Sequence, residues 1–126
     1  MTQILLIEDD KVICDITRYF LEGQKQYRVT CARTGGEAMA YAREPFDLII
    51  MDIQMPVMDG WKAAEAIRAL PDPLRAQVPV IALSANAFES DIRKSLSHGM
   101  DAHLTKPLDI PQLLKTVQRV LRERRT

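Results

Sequence analysis

The chain has little of what marks a secreted or membrane protein. Among its 126 residues there are only two cysteines, Cys14 and Cys31. They lie far apart in sequence and lack metal-ligand spacing. Each reads as a small buried apolar residue in a reducing compartment, not as half of a disulfide. No apolar stretch approaches the ~20 residues of a membrane span. The first apolar run, Ile4 to Ile7, is short and ends in acids, so no signal peptide is read there. Charge of one sign is not in excess: 17 Lys and Arg balance 17 Asp and Glu. That balance removes the electrostatic case for direct nucleic-acid binding. Internal repeats, low-complexity tracts and linkers are absent too. These absences predict one soluble, cytoplasmic domain over 1–126, with a core drawn from the 47% of residues that are apolar.

What is present is an alternation. Ile4-Leu5-Leu6-Ile7 is a continuous apolar run, as in a strand covered on both faces. Residues 11–22 carry Val12, Ile13, Ile16, Phe20 and Leu21 at helical spacing, with Gly23 as a stop. Tyr27 to Cys31 alternates and predicts a strand nearer an edge. Gly35 to Arg43 predicts a short helix, ended by Pro45. Asp47 to Met51 is the most strand-like segment, followed by a helix from about Gly60 to Leu70 with Asp59 as its cap. Pro71-Asp72-Pro73 reads as a break. Val78 to Leu83 predicts a fourth strand, and residues 87–98 a fourth helix carrying Phe88, Ile92 and Leu96, stopped by Gly99. Ala102 to Thr105 is a short fifth strand. Asp109 then stands three residues before Gln112 in capping-box spacing, ahead of a helix striped with Leu113, Leu114, Val117, Val120 and Leu121. The closing arginines (Arg119, Arg122, Arg124, Arg125) complement that helix's dipole. Five strands alternating with five helices predict an α/β fold: a parallel sheet with helices on both faces.

In open parallel sheets, ligands bind beyond the carboxyl ends of the strands. Glu8, Asp9 and Asp10 follow strand one, Asp52 follows strand three, Ser84 strand four, and Lys106-Pro107 strand five. Strand two contributes nothing comparable. Three converging carboxylates repel, and at least one has its pKa raised. A divalent cation removes the conflict, and hard oxygens suit Mg²⁺, with ligands at roughly 2.0–2.1 Å. Lys106 supplies a fixed positive charge and Ser84 a short hydroxyl. Together they form a cradle for a dianionic phosphoryl group, whose transfer asks mainly for positioning and charge neutralisation. Asp52 stands where a nucleophile belongs.

Four segments carry a resemblance: Ile-Leu-Leu-Ile-Glu-Asp-Asp, Ile-Ile-Met-Asp-Ile-Gln-Met-Pro-Val-Met-Asp-Gly, Ala-Leu-Ser-Ala and Leu-Thr-Lys-Pro. Taken together, the chain resembles the receiver domain of bacterial response regulators, from Gln3 to the last helix. The resemblance implies a flavodoxin-like doubly wound sheet of strand order 2-1-3-4-5. It implies that Asp52 is the phosphoacceptor and a metal ligand. Asp9 would bind Mg²⁺ directly, Glu8 through water, and Gln54 through its backbone carbonyl. Ser84 would move to meet a phosphoryl oxygen, Lys106 would pair with it, and the bond to Pro107 would be cis. Two positions depart from the commonest pattern. Glu8 stands where Asp is more frequent. His103 stands where the family usually has Tyr or Phe as a switch residue; histidine can rotate inward like these, yet it also charges near neutrality.

The implied function is that of a two-component or phosphorelay regulator, not an enzyme, with at most slow self-phosphorylation from small donors and slow self-dephosphorylation. The implied partners are a sensor histidine kinase or a histidine phosphotransfer protein, with a downstream target read at the surface of helix four, strand five and helix five. The chain would be a monomer or a phosphorylation-dependent dimer. Met1 just before strand one, and an end just past helix five, predict either a stand-alone regulator or an excised domain of a hybrid kinase or larger regulator. Residues 82–107 are similar to receivers attached to hybrid histidine kinases, which points to a phosphorelay. A phosphatase of the haloacid dehalogenase type needs a general-acid Asp two residues after its nucleophile, and Gln54 occupies that position. A nucleotide-binding half-domain needs a glycine-rich turn after strand one, where Glu8-Asp9-Asp10 would repel a phosphate. A pseudo-receiver would have lost Asp9, Asp52 or Lys106, and all three are present.

Overall fold

The computed structural model describes residues 1–55, 59–85 and 88–124. Pro56, Val57, Met58 and Arg125, named or quoted above, lie outside the described residues, as do residues 86–87 within the ranges given above and the side chain of Arg124. The elements run β1 Thr2–Ile7, α1 Lys11–Glu22, β2 Tyr27–Ala32, α2 Gly35–Tyr41, β3 Leu48–Asp52, α3 Gly60–Arg68, α4 Pro73–Ala76, β4 Val80–Ser84, α5 Glu89–Ser97, β5 Ala102–Thr105 and α6 Ile110–Arg124. The five strands form one parallel sheet in the order β2-β1-β3-β4-β5. This is the expected doubly wound α/β architecture.

Alternation along each strand divides the core in two, because successive side chains point to opposite faces. Ile4 and Leu6 of β1 join Leu48, Ile50, Ile81 and Leu83 against α1 and α6, through Leu21, Leu113 and Val117. Leu5 and Ile7 join Ile49, Met51, Val80 and Ala82 on the other face, against Ala38 of α2 and Ala64 and Ile67 of α3. Both faces are covered, which is why β1 and β3 read as unbroken apolar runs. Each fully buried Leu or Ile contributes roughly 1.5–3 kcal/mol.

The helix starts follow the expected capping chemistry. Asp10 Oδ1 accepts from the Val12 and Ile13 amides, Asp59 Oδ1 from Trp61 and Lys62, and Asp109 Oδ1 from Gln112. One helix is additional. Pro71-Asp72-Pro73 does not simply break the chain: Asp72 caps the four-residue α4 by accepting from Leu74, and Pro73 sits at its start, where no amide is needed. Two apolar stripes also differ from the expectation. Phe88 and Leu96 are 67% and 48% exposed, and α5 instead turns Ser95 inward. On α1, Val12, Ile16 and Phe20 are exposed, while Cys14, Thr17 and Leu21 are buried. The helix lies rotated from its apolar periodicity. Gly99 follows α5 at φ 92, a left-handed conformation that favours glycine. Arg68 binds this corner, donating to the carbonyls of Gly99, Ala76 and Val78 and pairing with Asp101 at 3.1 Å.

Among the described residues, no helix is long and apolar enough to cross a membrane. Cys14 and Cys31, far apart in sequence, meet through their side chains as free thiols. Burial pushes the Cys14 thiol up to about 12, so it is protonated and inert at neutral pH.

Candidate functional site

The strand register brings the candidate residues to one edge. Asp52 is the last residue of β3 and pairs with Leu83, so Ser84 lies one step beyond it on β4. Ser84 in turn pairs with Thr105, and its carbonyl accepts from the Lys106 amide at 2.8 Å. Glu8 leaves β1 directly. Both Asp52 and Ser84 belong to their strands, where the sequence had placed them just after.

Ligand oxygens of Glu8, Asp9 and Asp52 all lie within 4.8 Å of one another. Glu8 and Ser84 are fully buried or nearly so, Asp52 is 3% exposed, and Asp9 is partly open. The Lys106 ammonium bridges two of the acids, 2.8 Å from Glu8 Oε2 and 3.0 Å from Asp52 Oδ2. The other Asp52 oxygen accepts from the Gln54 amide at 2.8 Å. Burial pushes the Glu8 carboxyl up to about 7. The Lys106 ammonium and the Asp10 amide pull it back, and the neighbouring Asp52 charge pushes it further up. The same two acids raise the Lys106 pKa, overcoming the opposing effect of its burial. The Lys106–Pro107 bond is cis. Arg33 donates to the Asp9 carbonyl at 3.0 Å, and the Cys14 thiol to the Glu8 carbonyl at 3.2 Å, so both acidic residues are held from the backbone side.

This donor set fits a divalent cation. It is made of hard carboxylate oxygens, it carries more negative charge than Lys106 neutralises, and one acid is pushed toward protonation without more positive charge.

Three features escaped the sequence. The side chain of Gln54 accepts from the Ala85 amide at 2.8 Å, joining the β3 loop to the residue after Ser84. His103, half-buried on β5, has Nδ1 3.1 Å from Ser95 Oγ. That hydroxyl also accepts from the Trp61 indole at 3.1 Å. Each contact depends on tertiary placement and carries no local sequence signal.

The sequence profile of the response regulator receiver domain matches residues 4–118. The chain belongs to the response regulator receiver domain family. It is 36% identical to the receiver domain of the sensor histidine kinase PA1611 from Pseudomonas aeruginosa PAO1, with a TM-score of 0.83 over 95% of this chain and 97% of that one. That domain has a magnesium ion coordinated in its active site cleft. A CheY-like receiver domain protein from Methanospirillum hungatei JF-1 gives 32% identity and a TM-score of 0.86 over 99% and 97% of the two chains. Among curated proteins, the signal transduction histidine-protein kinase BarA of Escherichia coli K12 is 38% identical over 111 residues, 87% of this chain and 12% of BarA. The chain spans 6 to 13% of the length of the curated histidine kinases it matches.

Proposed function

We propose that residues 1–126 act as one receiver unit that takes a phosphoryl group onto Asp52 from a histidine phosphate. The carrying observation is the Asp52 carboxylate itself. It ends β3 with one oxygen on the Lys106 ammonium and the other on the Gln54 amide, beside Glu8 and Asp9. In the transfer, the donor's N–P bond breaks as an Asp52 O–P bond forms, and the histidine keeps the electron pair. Asp9, Asp52 and the Gln54 carbonyl would hold Mg²⁺, with Glu8 reaching it through water. When bound, the ion shields charge on the transferring oxygens. Lys106 then turns from carboxylate to phosphoryl oxygen as its partner, and Ser84 offers its hydroxyl from the adjacent strand.

The donor would be a sensor histidine kinase or a histidine phosphotransfer protein. An apolar cavity of about 480 Å³, lined by Ile13, Ile16, Lys106, Pro107, Leu108 and Ile110, opens beside Lys106. Val12, Ile16, Tyr19 and Phe20, also on α1, are exposed. Such a face suits the apolar side of a donor helix. Output would leave through α5, β5 and α6, with Ser84 and His103 as the moving residues.

Incubation with acetyl phosphate and Mg²⁺ should add the mass of one phosphoryl group to the intact protein, and Asp52→Asn should abolish the gain. An Asp52→Asn protein that still gains it would refute the assignment.

A further inference from the structure

The link that joins Trp61 through Ser95 to His103 has no part in the roles above, although His103 itself is one of the moving residues. Ser95 is fully buried in α5. Its hydroxyl has one proton and two lone pairs. The Trp61 indole can only donate, so at 3.1 Å it takes a lone pair. His103 Nδ1 lies 3.1 Å from the same oxygen. The hydroxyl proton therefore has an acceptor in Nδ1, provided the imidazole proton is on Nε2. The indole is fixed from other sides as well. His98 stacks on it with centroids 5.9 Å apart, Lys94 Nζ sits 4.1 Å from its centre, and His98 Nδ1 meets Glu65 of α3. So α3, α5 and β5 meet at one hydroxyl.

We propose that Ser95 is a positioning residue that holds His103 as its Nε2-protonated form and couples it to Trp61. The coupling half of this proposal rests on the phosphoacceptor reading of Asp52. When His103 leaves this position, the Ser95 proton loses its partner. It then turns to a carbonyl of its own helix, the usual alternative for a helical serine. That rotation alters the lone pairs facing Trp61, and the indole registers the change.

The test uses the full chain and NMR of the histidine ring nitrogens and the indole proton. Without any phosphoryl mimic, His103 should show the Nε2–H form with Nδ1 as acceptor. Ser95→Ala should shift both His103 nitrogens and the Trp61 indole proton. His103→Phe should move the indole proton too, since the two rings are joined through Ser95. An Nδ1–H form of His103, or an indole proton unmoved by His103→Phe, overturns the proposal. Beryllofluoride with Mg²⁺ should move the indole proton in the wild type. In Ser95→Ala that response should fall at least fivefold, while the mimic binds about two- to tenfold tighter, the worth of one neutral hydrogen bond. An unchanged response with unchanged affinity also overturns it. If Ser95→Ala does not fold, Trp61→Phe reads the same link from the other end, through the His103 nitrogens. A wild type in which the mimic shifts no resonance, those of Ser84 and Lys106 included, sinks both the phosphoacceptor reading and the coupling, while the ring-nitrogen arm still decides whether Ser95 holds His103.

Discussion

Replacing Glu8 with glutamine isolates the electrostatic state of the site. Glu8 is fully buried, and its carboxyl is pushed from an ordinary 4.5 to about 7. The folded chain therefore holds the Glu8 proton more tightly than the unfolded chain does. The stabilisation this provides is complete below pH 4.5 and is lost as pH rises through 7. A rise of about 2.5 units at ~1.36 kcal/mol per unit amounts to about 3 kcal/mol. Glutamine copies the protonated acid and does not titrate. The assay is urea unfolding of both proteins from pH 4 to 8 with a chelator present. Subtracting the two curves cancels every other titrating group. The wild type should lose about 3 kcal/mol relative to Glu8→Gln across that window. Saturating Mg²⁺ should flatten the difference, because the cation favours the ionised carboxylate. A flat difference curve in chelator would refute the reasoning, since burial would then not dominate over Lys106.

Lys106→Met leaves Glu8 and Asp52 buried without their shared cation. Unfolding in chelator should show a loss of about 3–5 kcal/mol at pH 8 and a smaller one at pH 5, where Glu8 carries its proton; an equal loss at both values would mean the damage is packing alone. Gly60→Ala should destabilise by about 1–3 kcal/mol by thermal or urea unfolding. An added Cβ would stand 2.5 Å from the Ile53 Cα, and that backbone atom cannot move away cheaply. Gly36→Ala is its control: the nearest atom is 4.0 Å away, so the helical gain of up to about 1 kcal/mol should appear unopposed.

The fold was legible where one rule governs a whole segment. β1 and β3 are buried on both faces, so their sequences carry no polar alternation and could be read as central parallel strands. Asp10, Asp59 and Asp109 announce the starts of their helices because capping is local chemistry. α4 was not legible, because four residues hold no periodic stripe and the Pro71-Asp72-Pro73 run that starts it reads as a break. The rotation of α1 and α5 was not legible either. Periodicity says which residues are apolar, but which side meets the sheet is decided by packing, and here it buries Thr17 and Ser95 while leaving Ile16 and Leu96 about half exposed.

The site divides along the same line. Its acids stand directly after apolar runs, so strand ends alone place Glu8, Asp9 and Asp52 together. Lys106 follows by the same rule from β5. What strand ends cannot convey is how the charges are shared. One ammonium serves both Glu8 and Asp52, so the two acids are unequal. Asp52 also has the Gln54 amide and stands at the strand end. Glu8 is fully enclosed, and burial pushes its carboxyl up to about 7. The longer glutamate side chain reaches Lys106 at 2.8 Å, closer than Asp52 does at 3.0 Å. Phosphorylation of Asp52 would add negative charge next to Lys106. The lysine then has a reason to turn, and Glu8 loses the stronger of the two groups that keep it ionised. The enclosure of Glu8 and its 2.8 Å approach to Lys106 come from packing, which no spacing of letters records.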